Sequence, residues 1–375
     1  MSEERALQRA LQAIDEWIGP QGPSGVAAAV WRPDRIVAER AAGEARPGVP
    51  VTAETIFPLA SITKPITATA VMTLVEDGSL SLDEPVYRWL PEFRTATAED
   101  GLQPNPELER LRVTITARQL LSHVSGLPED LGPRQARHAE PETLEQIVDR
   151  YCRLPLLSEP GGELRYSNAG YGIASRLAER ISGREFWALT EERVLEPLGL
   201  RDTVVRPDAS LLPRFALLAD TAHAGTAVEA YNSDYWRQLA IPWGGAYGTP
   251  RDLARFAGAF LTGGPRLLSA AGARAMTTDQ TDGVPGGVES AKVWWPSGRW
   301  GLGWEVKGPK RRHWTGELTS PATFCHFGAA GTLLWADPER DVTLAVFANR
   351  MVARMWGFIL PRWARLSNAV AAAVS

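Results

Sequence analysis

Near the start of the chain the apolar residues recur at a helical interval. Leu7, Leu11, Ile14 and Trp17 form one stripe of MSEERALQRALQAIDEW, which predicts an amphipathic helix. GVAAAVWRP and DRIVAERA follow, two apolar, β-branched runs around Pro33-Asp34, and they predict a hairpin. The pattern returns far downstream, where Thr332 to Ala336 and Val342 to Phe347 read as strands joined by a turn over Asp337 to Asp341. From Met351 onward the chain reads as helix with a break near Pro361. Between these ends, from about Leu80 to Ala240, helical periods and proline-rich loops dominate. The segments 95–110 and 279–300 are polar, rich in Gly and Pro, and read as loops of the kind that border active sites. The simplest architecture is a mixed α/β domain from both chain ends, residues 1–78 and 241–375, with an all-helical domain over 79–240 inserted between them.

Composition narrows the class. With 375 residues, 44% apolar, 22% charged and a net charge of -4, the chain reads as a soluble globular protein of one large unit or two sub-domains. The 40 basic residues are scattered and outnumbered by 44 acidic ones, which argues against nucleic acid as a partner. No basic stretch leads into an apolar run at the N-terminus, and charged residues and Pro361 interrupt the apolar C-terminal segment. The expectation is therefore a cytoplasmic protein with no membrane partner. Cys152 and Cys325 are too few for a disulfide scaffold and read as packed thiols, Cys325 drawing attention because His326 follows it.

Three polar interruptions carry the candidate chemistry. Ile62, Ile66, Ala70, Val71, Leu74 and Val75 keep a helical period that Gly78 stops, so a helix starts near Ser61 and Pro65 falls in or beside its first turn. Lys64 lies one turn after Ser61, where a partly buried amine can approach the hydroxyl and help take its proton. Alone, the pair reads first as a capping serine and a solvent-facing lysine. Tyr166, Ser167 and Asn168 precede a helical period from Ala169 to Ile181 that ends at Gly183. A loop tyrosine there can carry a proton and an asparagine offers both donor and acceptor, although a packed ring and a helix-capping Asn would fit as well. His326, Phe327, Gly328 and Ala329 stand before a strand, where small residues let backbone N–H groups approach a ligand. Of the other histidines, His123 follows a helix begun by Thr116 and reads as structural, whereas His138, His223 and His313 sit in polar contexts without partners at metal-ligand spacing.

Ser61-Ile62-Thr63-Lys64, Tyr166-Ser167-Asn168 and His326-Phe327-Gly328 stand in the order and approximate spacing of S-x-x-K, Y-x-N and [K/H/W]-x-G. With LLSHVSGLP, PGGELRYSNAGYG, GGAYGTPRDLARF and GLGWEV, the chain resembles the class C β-lactamase-like serine hydrolases over about residues 10–350. That family includes class C β-lactamases, D-Ala-D-Ala carboxypeptidases, D-aminopeptidases and family VIII carboxylesterases. The resemblance implies a β-lactamase/transpeptidase-like fold, an antiparallel sheet from both chain ends flanked by helices plus an inserted helical domain, with the site in the cleft. It implies Ser61 as the nucleophile of an acyl-enzyme, Lys64 and Tyr166 as its proton shuttle, and the backbone N–H groups of Ser61 and Ala329 as the oxyanion hole. Asn168 would position the substrate, with Phe327 and Gly328 beside it. No cofactor or metal is called for.

His326 stands where lactamases and peptidoglycan enzymes usually carry lysine. A mostly neutral histidine is a poorer anchor for a substrate carboxylate but can hydrogen-bond Tyr166, which favours substrates without an obligatory carboxylate. Peptidoglycan also lies outside the cytoplasm. Trp236, Trp243, Trp294, Trp295, Trp300 and Trp304 fall in regions expected to border the cleft and to suit acyl or aromatic groups. The expectation is a carboxylesterase acting on small or medium apolar esters. A β-lactamase and a D-amino-acid amidase or peptidase are the alternatives within hydrolysis, and an acyltransferase or a non-catalytic binding protein are those outside it. The oligomeric state is left open.

Overall fold

A computed structural model describes residues 2–99, 101–132 and 139–374. In chain order the strands are β1 (Gly25–Arg32), β2 (Arg35–Arg46), β3 (Val49–Pro50), β4 (Phe57–Pro58), β5 (Leu164–Arg165), β6 (Tyr247–Gly248), β7 (Gly286–Val288), β8 (Val293–Trp295), β9 (Glu305–Val306), β10 (Phe324–Gly328), β11 (Thr332–Asp337) and β12 (Val342–Ala348). Seven of them form one antiparallel sheet in the order β3-β2-β1-β12-β11-β10-β9, so β1 from the chain start pairs with β12 from near its end. Between β5 and β6 the described residues form helices, turns and loops.

Residue alternation explains why β1 and β12 read as unbroken apolar runs. One face of the sheet carries Ala27, Ala29, Leu334, Ala345 and Phe347 into a core shared with the Thr63–Glu76 and Asn168–Ser182 helices. The other carries Val26, Val30, Leu333, Leu344 and Val346 against Leu7, Leu11, Ile14 and Trp17 and against Ile359, Trp363 and Leu366 of the C-terminal helix. A sheet covered on both faces needs apolar residues at every position.

Several boundaries differ from the sequence expectation. The amphipathic N-terminal stripe spans an α-helix, Glu3–Leu11, and a 3-10 continuation, Gln12–Trp17. The C-terminal helix, Val352–Ala373, breaks at Met355 (φ -130°, ψ 23°) and not at Pro361. Helix resumes after Met355 and runs on through Pro361, at the loss of one backbone donor. The stretch 279–300 holds β7 and β8, which join β5 in a small sheet, and 95–110 holds the short helix Pro106–Glu109. No helix among the described residues is long and apolar enough to cross a membrane.

The sheet presses its β10 end onto the turn that leads into the Thr63–Glu76 helix. Thr332 Oγ1 donates to the Leu59 carbonyl at 3.1 Å, and the Leu59 N–H donates to the Ala246 carbonyl at 2.9 Å. Gly328 makes this approach possible, because a Cβ there would stand 2.3 Å from both the Leu59 oxygen and Thr332 Oγ1. Gly328→Ala is therefore expected to cost about 2 kcal/mol through overpacking against backbone that cannot retreat. Urea denaturation followed by tryptophan fluorescence should show a lower midpoint with an unchanged slope; an unshifted midpoint would mean that the contact is loose.

Candidate active site

Ser61 sits in a 3-10 turn, Ala60–Ile62, directly before the α-helix Thr63–Glu76. Ala60 holds φ at +47°, a left-handed conformation unusual for a residue with a Cβ, and the turn is pinned through Leu59 by β10 and β11 as described above. Pro65 occupies the first helical turn, where its missing N–H leaves no intrahelical acceptor unmet. Lys64 follows Ser61 by one turn and is completely buried. Its Nζ donates to Ser61 Oγ at 3.1 Å and to the Trp243 carbonyl at 2.8 Å, and lies 4.7 Å from the centre of the Tyr166 ring. Burial lowers its pKa to about 7 even though Glu129 and Asp130 favour the charged form. An amine poised there can accept the proton of the neighbouring hydroxyl.

Tyr166 lies between β5 and the Asn168–Ser182 helix, its N–H donating to the Gly287 carbonyl at 3.1 Å. Burial raises its pKa well above 10, while its hydrogen-bonding neighbour Ser61 pulls the other way. The helix is capped by Ser167, whose Oγ accepts from the Gly170 N–H, rather than by Asn168. Asn168 is the first helical residue; its Nδ2 donates to Asp130 Oδ2 at 2.9 Å and its N–H to the Glu129 carbonyl at 2.7 Å. The helix N-terminus thereby clamps the segment Pro128 to Asp130 at the cleft.

His123 reads as structural in the sequence, and its structural place is directly against the site. Its buried ring packs on Tyr166 at 4.4 Å between centroids and edge-on to Trp300 at 4.8 Å, and its Nδ1 accepts from the Ser167 N–H at 2.9 Å. Burial, then the Lys64 charge, hold its pKa well below 6.5, so the ring stays neutral. The only cue in the sequence is LLSHVSGLP, where nothing in the spacing points to Tyr166.

His326 lies on a strand of its own, β10, opposite Leu334 of β11. Alternation sends it to the cleft side and Cys325 to the opposite face, so their adjacency in sequence carries no shared chemistry. His326 is 2% exposed, and burial followed by the Lys64 charge lowers its pKa to about 3. Its Nδ1 lies 2.8 Å from the Phe327 carbonyl, which can only accept, so Nδ1 carries the hydrogen and Nε2 the lone pair. The expected hydrogen bond to Tyr166 is absent among the described residues: the ring centroids are 6.1 Å apart and Nε2 has no partner.

Ser61, Tyr166, Asn168, Trp236, Trp243, His326, Phe327 and Ala329 all line one cavity of about 470 Å³. Lys64 reaches it through Ser61, and Gly328 forms the strand end beneath it. Of the other expected tryptophans, Trp300 lines the cavity, whereas Trp304 is in the core against Phe256 and Phe324, Trp295 packs on Trp314, and Trp294 is exposed. Sequence reasoning missed Glu129, Tyr231, Met351 and Trp356, which also line it. His223 is at the rim, and His138 lies outside the described residues.

His313 does have partners at ligand distance, contrary to the sequence expectation. It is buried with Glu305, Lys310 and Cys325, its Nε2 3.0 Å from Glu305 Oε1. Donor atoms of Glu305, His313 and Cys325 lie within 4.8 Å of one another, but the Lys310 ammonium, 2.8 Å from Glu305 Oε1, already supplies the positive charge. Burial would raise the Glu305 carboxyl, yet Lys310 and His313 outweigh it and hold the pKa at about 2. The donors do not suit a metal while that ammonium is in place.

Comparison with known proteins gives a consistent picture. A family model described as Beta-lactamase matches residues 8–360. Penicillin-binding protein 4 of Amycolatopsis lactamdurans is 31% identical, covering 82% of this chain and 75% of that protein. Esterase EstB of Burkholderia gladioli is 37% identical over a shorter region, 48% of this chain and 46% of the esterase. The crystal structure of a β-lactamase from Mycobacterium bovis superposes with a TM-score of 0.65 at 28% identity, covering 97% of this chain and 99% of that one.

With Lys64 Nζ 3.1 Å from Ser61 Oγ and its pKa at about 7, any reactivity of Ser61 is expected to depend on pH. Below its pKa of about 7 the amine is protonated and cannot take the Ser61 proton; above it the amine is free to do so. The rate at which a fluorophosphonate labels Ser61 should rise through about pH 7 and level off above. Because the Glu129 charge favours protonated Lys64, Glu129→Gln should move the midpoint to lower pH. A rate that stays flat between about pH 5.5 and 8.5 would remove Lys64 as the base.

Proposed function

The chain belongs to the beta-lactamase family, and from that premise we propose that it is a serine hydrolase working through an acyl-enzyme on Ser61, with small or medium apolar carboxylic esters as substrates. The observation that carries the reading is the buried Lys64 amine, 3.1 Å from Ser61 Oγ with a pKa of about 7. As Ser61 attacks the carbonyl carbon, its proton passes to Lys64 and then, with Tyr166, to the departing alkoxide. The developing oxyanion is held by the N–H groups of Ser61 and Ala329, each such donor contributing about 3 kcal/mol to the transition state. Water then takes the leaving group's place and the same groups run in reverse. The fold divides, on this reading, into the sheet-bearing part from both chain ends and the helical part between, with the cleft at their junction.

The ester reading is favoured over the lactam reading by His326. A ring with a pKa of about 3 is neutral at every working pH and offers no charge to a substrate carboxylate. The tryptophans and Phe327 along the cavity suit an apolar acyl or alcohol group. The esterase relative supports this choice, and the penicillin-binding relative keeps β-lactam or amide hydrolysis as the second reading.

Ser61→Ala should lower the kcat/KM for p-nitrophenyl butyrate by about a thousandfold or more while leaving the thermal midpoint close to that of the wild type. Mass spectrometry of the quenched wild-type reaction should place the butyryl group on Ser61. Nitrocefin turnover that rivals the ester rate would move the assignment to a lactamase, and an acyl group on another residue would end the Ser61 reading.

A further inference from the structure

One residue holds the chain on both sides of Tyr166. The Arg165 N–H donates to the His123 carbonyl at 2.8 Å, and the Ser167 N–H donates to His123 Nδ1 at 2.9 Å. His123 stands two residues after the Ala117–Leu121 helix at φ +61°, a left-handed conformation uncommon for a residue with a Cβ. From there its carbonyl and its ring reach alternate residues of one stretch, a double grip that packing alone would not require. The Tyr166 N–H donates to the Gly287 carbonyl at 3.1 Å, so three successive backbone N–H groups, of Arg165, Tyr166 and Ser167, have fixed partners. Ser167 Oγ adds a bond to the Pro128 carbonyl at 2.7 Å. The Tyr166 ring is then walled by His123 and Trp300, at 4.4 and 5.7 Å between centroids. Because Nδ1 accepts, the hydrogen of the neutral His123 ring is on Nε2, which is buried and without a partner among the described residues. An unmet buried donor is unfavourable, and this one accompanies the tautomer that leaves Nδ1 able to accept from Ser167.

We propose that His123 is a positioning residue for the reaction, its carbonyl and Nδ1 fixing the backbone that aims Tyr166 at the leaving group. This rests on the acyl-enzyme reading, in which Tyr166 helps deliver the proton to the departing alkoxide. Such delivery tolerates little displacement, since about 1 Å of misplacement can cost about a hundredfold in rate. An alkoxide needs that proton to depart, whereas p-nitrophenolate leaves as a stable anion. Displacing Tyr166 therefore slows alkyl esters far more than p-nitrophenyl esters, whereas a loss of packing alone slows both alike.

The test compares kcat/KM for ethyl butyrate and p-nitrophenyl butyrate, one acyl group with two leaving groups. His123→Phe keeps a ring against Tyr166 but puts a carbon in place of Nδ1, and its ethyl-to-p-nitrophenyl ratio should fall about tenfold below that of the wild type. His123→Asn gives up the ring and keeps the acceptor, because its Oδ1 takes the place of Nδ1 and asparagine tolerates the left-handed backbone. Its ratio should stay within about twofold of the wild type even though its thermal midpoint falls. A wild-type ratio in His123→Phe, or a ratio in His123→Asn that falls as far as in His123→Phe, would overturn the proposal. If the quenched wild-type reaction still carries its butyryl group on Ser61, either result leaves the acyl-enzyme reading standing; a butyryl group on another residue would overturn both. Should His123→Phe fail to fold, His123→Asn decides alone: a ratio held while the thermal midpoint drops supports the proposal, and a ratio lowered about tenfold overturns it.

Discussion

The cleft depends on a lysine held in the interior without a carboxylate against it. Lys64 is fully buried and its Nζ is satisfied by a hydroxyl, a backbone carbonyl and a ring face; no salt bridge to it exists among the described residues. An ammonium in such surroundings is costly, and the cost appears as a pKa near 7 instead of 10.5. The rest of the site is placed to hold this balance. The Trp243 carbonyl comes from the loop before β6, Tyr166 from the start of the Asn168–Ser182 helix, and Ser61 from a strained turn that β10 and β11 pin through Leu59. Glu129 and Asp130 lie far enough away to favour the charged form without fixing it.

How much of this was legible in the sequence follows from the range of the forces involved. Local periodicity placed the helix after Ser61, the hairpin of β1 and β2, and the strands β11 and β12, because burial on a face repeats along the chain. The S-x-x-K, Y-x-N and H-x-G stretches could be matched as strings, and the structure brings them to one cavity. Contacts between distant segments left no periodic trace. His123 reads as structural in the sequence because its partners Tyr166 and Trp300 lie 43 and 177 residues further on, and His313 reads as lacking partners because Glu305 is eight residues back on a separate strand. Short strands such as β7 and β8 were lost among glycines and prolines, since two or three residues cannot show an alternation. The sequence points to Pro361 as the break because a missing N–H is visible there, whereas nothing in it marks the non-helical backbone at Met355.

The buried Glu305 cluster shows how the sheet separates structural charge from reactive charge. β9 pairs with β10 at Val306 to Phe324 and Glu305 to Cys325, so the ion pair to Lys310 and the bond to His313 brace the edge strand beside the one that carries His326. Glu305 keeps a pKa of about 2 because its two partners are within hydrogen-bonding distance, and it is therefore a fixed charge at working pH. Lys64 has no such partner and is the group free to exchange its proton. Both are buried lysine or carboxylate groups; what divides their roles is whether a counter-charge is in contact.

Replacing a lysine by a histidine on β10 changes more than the anchor for a substrate. His326 and Lys64 already feel each other, the lysine charge being one reason the histidine pKa falls to about 3. A second ammonium at position 326 would press on Lys64 and drive its pKa lower still, whereas a neutral ring leaves the base near 7. The same coupling links the carboxylate wall to the chemistry. Glu129 and Asp130 favour protonated Lys64, so the charge carried by the cleft wall sets how readily the amine gives up its proton.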